Sequence, residues 1–205
     1  MKIGVVDYEG GNLASVAHAV SHLGYTPIIT SDTDVLKSAD KIIFPGVGAA
    51  GATIAALEKS GLRSFIIDTL PNLNIPCLGI CIGIQVLFEK SEEDNAKTLG
   101  IIKGEVKKFD KNDHIKIPHI GWNKVHFTNT QDPLLKGVEQ DEYFYFVNSF
   151  YVVPEDPNIV LGTTQYGKHQ FATLIRHKHW VAAQFHLEKS GETGLLMLKN
   201  FLEQP

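Results

Sequence analysis

Cysteine is almost absent: Cys77 and Cys81 are the only two in 205 residues. No disulfide framework can be built, and a reducing cytoplasmic setting is expected. Long apolar runs are missing too, so nothing in the chain predicts the ~20-residue span of a bilayer. Met1-Lys2 leads straight into Ile3-Gly4-Val5-Val6, too short a run for the core of a secretory leader. Neither sign of charge predominates. Nineteen Lys and Arg against 23 Asp and Glu leave a formal charge of −4 and no basic block, which excludes an electrostatic footprint for nucleic acid. Repeats, low-complexity segments and linkers are lacking. With 43% hydrophobic residues the chain is expected to fold as one compact domain over 1–205, with a substantial core.

What is present is an alternation of apolar runs and helical periodicities. Strands are expected at Lys2–Tyr8, Thr26–Thr30, Lys41–Phe44 and Ile75–Ile80. Helices are expected at Leu13–Leu23, Ala52–Lys59, Leu62–Leu70 and Ile84–Glu89. Strand, crossover and strand in this order predict a mostly parallel central sheet flanked by helices. The second half is richer in strands, at Gly104–Phe109, Asn123–Phe127, Tyr143–Val147, Ile159–Thr164, Phe171–Ile175 and Trp180–Phe185. Turn signals separate them at Lys111-Asn112-Asp113, Glu155-Asp156-Pro157-Asn158 and Tyr166-Gly167-Lys168, so these add antiparallel strands to the α/β fold. An amphipathic helix from Glu192 to Leu202 closes the chain.

The densest chemical signal is Gly79-Ile80-Cys81-Ile82-Gly83, where a strand hands over to a helix. Gly-x-Cys-x-Gly is the spacing of a nucleophile elbow carrying sulfur in place of oxygen. Its glycines let strand and helix approach, and the helix start beyond favours a thiolate. The N–H of Ile82 is then an oxyanion donor. A thiol nucleophile needs a base and an orienting group. His186, at the end of an apolar strand, is the candidate base, and Glu188 two residues on can orient it if the chain stays extended there. Phe44-Pro45-Gly46-Val47-Gly48 offers further backbone donors at Val47 and Gly48, straight after a strand.

Other residues read as structural. Cys77 belongs to its strand, and Cys77 with Cys81 lacks metal-site spacing; no metal is expected. His18 and His22 share a helix face, and His177-Lys178-His179 reads as a hairpin turn. His114, His119 and His126 have no ligand spacing, and His169 reads as a loop residue.

Taken together, these motifs resemble the class I (triad-type) glutamine amidotransferases over nearly the whole chain. Pro45–Gly48 resembles that family's oxyanion segment, Cys77–Gln85 its elbow, and Ala183–Ser190 its His-x-Glu segment. Within the family, Val6–Val16, Ile117–Asn123, Tyr143–Val147 and Gly191-x-x-Gly194 are similar to the glutaminase subunits of imidazole glycerol phosphate synthases. The resemblance implies hydrolysis of L-glutamine through a Cys81 thioester, with His186 as base and Glu188 orienting it. Gly46, Gly48, Gln85, Glu93, Ser149 and Phe150 would hold the substrate. Ammonia would pass to a (β/α)₈-barrel cyclase partner, contacted through Gly11, Asn12, Trp122 and Lys189, without a cofactor. Two positions depart from the family pattern. Asn148 stands where the family has His, and Leu187 where it has Pro between His and Glu. They keep open a paralogous glutaminase serving another ammonia acceptor.

Overall fold

The apolar runs of the first half become short strands because each is flanked by a turn-forming glycine, proline or polar residue. A computed structural model describes residues 1–111 and 115–204. In chain order the strands and helices are β1 (Ile3–Val6), α1 (Leu13–His22), β2 (Pro27–Thr30), α2 (Thr33–Lys37), β3 (Lys41–Phe44), α3 (Ala50–Lys59), α4 (Leu62–Ser64), α5 (Leu70–Leu73), β4 (Cys77–Ile80) and α6 (Ile82–Gln85). Then come β5 (Lys90–Ser91), β6 (Gly104–Lys108), β7 (His119–Phe127), β8 (Glu142–Asn148), β9 (Phe150–Pro154), β10 (Val160–Tyr166), β11 (His169–His177), β12 (Trp180–Ala183) and α7 (Gly191–Glu203).

The sheet runs β2-β1-β3-β4-β12-β11-β10-β7-β8. Its first five strands are parallel, and from β12 to β8 each neighbour is antiparallel. A branch of β9, β6 and β5 leaves β11. This is the mixed α/β sheet expected. Successive residues of the parallel strands face opposite layers. Ile42 and Cys77 join Ile54, Leu57, Leu62 and Phe65 on one side. Ile43 and Leu78 join Val16, Val20, Met197, Leu198 and Phe201 of α1 and α7 on the other. Strands buried on both faces read as continuous apolar runs, which is why they were legible.

Three local expectations need correction. The helix expected at Ile84–Glu89 is a single turn, Ile82–Gln85. Beyond it the carbonyls of Val86, Leu87 and Phe88 accept instead from the N–H groups of Leu99, Ile102 and Gly100. The segment Leu62–Leu70 holds a π turn at Phe65–Thr69 and continues to Leu73; Pro71 is tolerated because it opens the last short helix. His169 is no loop residue; it begins β11 and packs its ring on Phe109 and Tyr151. Helix α2, capped by Asp32, and strands β5 and β9 were not anticipated. The turn expected at Lys111-Asn112-Asp113 and His114 fall on or beside 112–114, outside the described residues. Among the described residues no helix is long and apolar enough to cross a membrane.

Candidate active site

Parallel strands that end level with one another gather their following loops at one edge, and there a cleft forms. Gly79 of β4 pairs with Phe44 of β3 on one side and Ala182 of β12 on the other. The residues after these three strands therefore converge: Val47 and Gly48 from β3, Cys81 and Ile82 from β4, His186 and Lys189 from β12. The bend between β8 and β9 adds Val147, Asn148, Ser149 and Phe150, and Gln85, Glu93 and Pro118 complete a cleft of about 280 Å³. That volume suits one small ligand.

Cys81 sits at φ 55°, ψ −103°, outside the regions an L residue prefers. The neighbouring glycines make this turn possible. A Cβ on Gly79 would lie 2.8 Å from the Gly83 carbonyl oxygen, and one on Gly83 would lie 2.5 Å from that of Phe44. The Cys81 N–H donates to Ala183 O at 2.8 Å, tying the elbow to β12. Since α6 is one turn long, the thiol gains the free N–H groups of that turn rather than a long helix dipole.

His186 is 2% exposed, and its backbone is held from both sides. Its N–H donates to Tyr145 O at 2.9 Å, and its carbonyl accepts from Ser190 Oγ at 2.5 Å. The His186 and Glu188 side chains meet at 2.8 Å between Nδ1 and Oε1. They do so around a tight turn, Leu187–Lys189, and not along extended chain as expected. Leu187 between them fills the buried core there. Burial works against a charged ring, but hydrogen bonds with Cys81 and then Glu188 outweigh it and hold the His186 pKa up at about 9. At neutral pH the ring carries its proton beside the sulfur.

Elsewhere the cleft wall is less uniform. The Gly48 backbone, at φ 119°, has open space where a side chain would be, whereas Gly46 does not line the cleft. A Cβ at Gly46 would strike Ile82 and the Tyr8 hydroxyl, so its role here is close packing. Glu93 accepts from the Ala50 N–H at 2.7 Å through Oε2, and so also fixes the start of α3. Asn12, expected at a partner interface, donates to Glu188 Oε1 at 3.2 Å. Gly11 packs over Gly46, with φ 103°. Trp122 is 55% exposed on the outer face of the β7–β8 ribbon, and Lys189 lies at the cleft rim. Behind the ribbon the buried His119 ring stacks on Tyr166 and Phe146, and burial lowers its pKa to about 4. Cys77 is wholly buried, which pushes its thiol pKa up.

Pro118 and Val147 line the cleft without having been expected there, and a residue behind the nucleophile was missed as well. Gln184 is fully buried, with its amide nitrogen 3.6 Å from Cys81 Sγ. Its signal was a polar residue in the apolar run Trp180–Phe185, on the same side as His186 in extended chain.

Comparison with known proteins matches residues 4–204 to the class-I glutamine amidotransferase family. The chain belongs to the class I glutamine amidotransferases. It is 43% identical to the imidazole glycerol phosphate synthase subunit HisH of Nitrosomonas europaea, over 98% of this chain and 97% of that one. It is 46% identical to the HisH subunit of Dehalococcoides mccartyi, over 98% and 96%. A similar solved structure is a glutamine amidotransferase at 16% identity and TM-score 0.75, covering 98% of this chain and 97% of that one. Another is a chain in the structure of PurLQS from Thermotoga maritima, at 17% identity and TM-score 0.73, over 98% and 97%. At such identities the structures speak for the fold of this amidotransferase alone.

Proposed function

We propose that this amidotransferase is the glutaminase subunit of an imidazole glycerol phosphate synthase. The observation that carries the reading is the cluster Cys81, His186 and Glu188 in a chain more than 40% identical, over its full length, to HisH subunits. Cys81 Sγ attacks the side-chain amide carbon of glutamine. The oxygen's developing charge meets the N–H of Ile82 and those of the Val47–Gly48 segment. His186 delivers its proton to the departing nitrogen, ammonia leaves, and a γ-glutamyl thioester remains. Water, deprotonated by His186, releases glutamate and frees the sulfur. Glu188 holds the imidazole in orientation throughout. Glu93 offers a carboxylate to the substrate's α-ammonium group, and Gln85 with the backbone at Ser149 and Phe150 holds the rest.

The partner reading is supported by the surface beside the cleft. Ile120, Trp122, Tyr143 and Val147 lie exposed on the β7–β8 ribbon, and Val47 is 45% exposed. Ile120 is paired with Val147, Trp122 with Tyr145 and Lys124 with Tyr143, so these side chains share one face. Val47 and Val147 also line the cleft, so its mouth opens into an apolar surface that a barrel-shaped cyclase would cover. Ammonia formed beneath such a contact is kept from bulk water.

The test is glutamate release by the chain mixed with its own organism's cyclase subunit, with and without the nucleotide substrate. Stimulation that needs both supports the reading. A chain that is labelled at Cys81 by a glutamine-mimicking electrophile but is not stimulated serves another acceptor. Trp122→Ala is expected to weaken the complex at least tenfold, as loss of a central aromatic anchor does.

A further inference from the structure

The hydrogen bonds behind Cys81 have a direction that one carbonyl dictates. Phe150 O can only accept, and Gln85 lies 3.3 Å from it, so the Gln85 atom there is Nε2. The same nitrogen lies 2.9 Å from the Gln184 side chain, which must present its oxygen. The remaining atom of the Gln184 carboxamide is then Nε2, a donor, and it faces Cys81 Sγ at 3.6 Å. Both glutamines are buried, 4% and 0% exposed, which strengthens these bonds. The Gln184 backbone is pinned as well, its N–H donating to Thr173 O at 2.8 Å.

We infer that Gln184 is a catalytic residue of this glutaminase, donating a hydrogen bond to the Cys81 sulfur and stabilising its thiolate. The inference rests on the proposed role of Cys81 as nucleophile. A neutral thiol has another use for its hydrogen, since Sγ lies 3.8 Å from Val147 O. Once the proton has moved to His186, the sulfur accepts from His186 on one side and from Gln184 on the other. The Gln184 donor carries no charge and cannot titrate, so it favours the thiolate at every pH. The chain of carboxamides also links the sulfur to Phe150, at the wall where substrate would lie.

The test is the pH dependence of Cys81 alkylation by iodoacetamide in the full chain, read by mass spectrometry. Cys77, wholly buried, is the internal silent thiol. His186 touches the sulfur, Glu188 lies behind that ring, the Tyr8 phenol lies nearby, and Glu93 and Lys189 share the cleft. All five are kept. Gln184→Met keeps the shape without a donor and is expected to move the labelling midpoint up by about one pH unit. That is a roughly tenfold loss of reactivity below the midpoint. Gln184→Glu keeps an acceptor for Gln85 but aims an oxygen at the sulfur, and is expected to move it at least as far. Gln85→Leu releases the Gln184 carboxamide to turn over, and is expected to give a smaller shift in the same direction. A folded Gln184→Met with the wild-type midpoint overturns the inference. If that variant does not fold, a wild-type midpoint in Gln184→Glu overturns it. Failure of the wild-type chain to label at Cys81 at any pH strikes the nucleophile reading instead.

Discussion

Gly83→Ala is the sharpest perturbation of the elbow. The new methyl would lie 2.5 Å from the Phe44 carbonyl oxygen, where ordinary contact begins at 3.4 Å. Both atoms belong to backbone-anchored elements, so the shortfall of 0.9 Å cannot be absorbed by a rotamer change. Either α6 moves off β3 or the end of β3 bends. Overpacking of this kind costs about 1–3 kcal/mol. The functional effect should be larger than the stability effect. Cys81 begins the turn that holds Gly83, and a displacement near 1 Å at a reacting atom costs roughly a hundredfold in rate. Urea denaturation of the purified chain reads the first quantity, and glutamate release in the presence of the proposed cyclase partner reads the second. Gly51→Ala is the matched control. Its methyl would find no neighbour nearer than 3.8 Å, within helix α3, so it is expected to stabilise by about 0.4–1 kcal/mol and to leave the rate alone. Wild-type stability and wild-type turnover in Gly83→Ala would refute the account of why glycine stands there.

Three further outcomes are expected. Glu188→Gln removes the charge behind His186 while keeping its size, and should lower glutamine-dependent kcat by roughly 10²-fold or more. Ammonia-dependent turnover by the partner should be unchanged, and equal loss of both would refute the division of labour. The His186 proton is held up to about 9 by Cys81 and Glu188 against burial, so kcat/KM should fall along an alkaline limb near that pH. By the same sign, the stability this cluster contributes is complete below the ordinary histidine value of 6.5 and lost as pH rises through about 9. A profile that instead rises through 6.5 would mean a neutral base at rest. Asp132→Ala removes the bonds that Arg176 makes at 2.6 and 2.7 Å, leaving that half-buried side chain a longer bond to Gln204, and also uncaps Leu134; about 2 kcal/mol of stability should be lost in urea melts, with the cleft intact.

Much of the site was legible because its parts are locally encoded. The glycines around Cys81 are demanded by contacts only a few residues or one strand away, and the His186–Glu188 pair closes within a single turn. The parallel strands, buried on both faces, announce themselves as apolar runs. What failed were features decided by competition from a distance. The helix expected after Ile84 gives up its carbonyls to the loop 99–102. The expected extended geometry at Glu188 yields to a turn. Gly46 proved to be a packing glycine, because Tyr8 and Ile82 leave no room beside it.

Local patterning places one cysteine on an elbow, keeps a histidine and a glutamate together, and lays down the mixed α/β sheet that carries both. That they meet is a property of the whole fold. Strand β12 returns after about a hundred residues of mostly antiparallel excursion to pair with β4, and this brings Gln184 to Cys81 across 103 positions of chain. Asn12 reaches Glu188 across 176. Such pairings follow from which apolar faces must be buried together, a property of the whole sheet that no local pattern contains. The direction of the Gln85 and Gln184 amides was decided there too, by a carbonyl that can only accept.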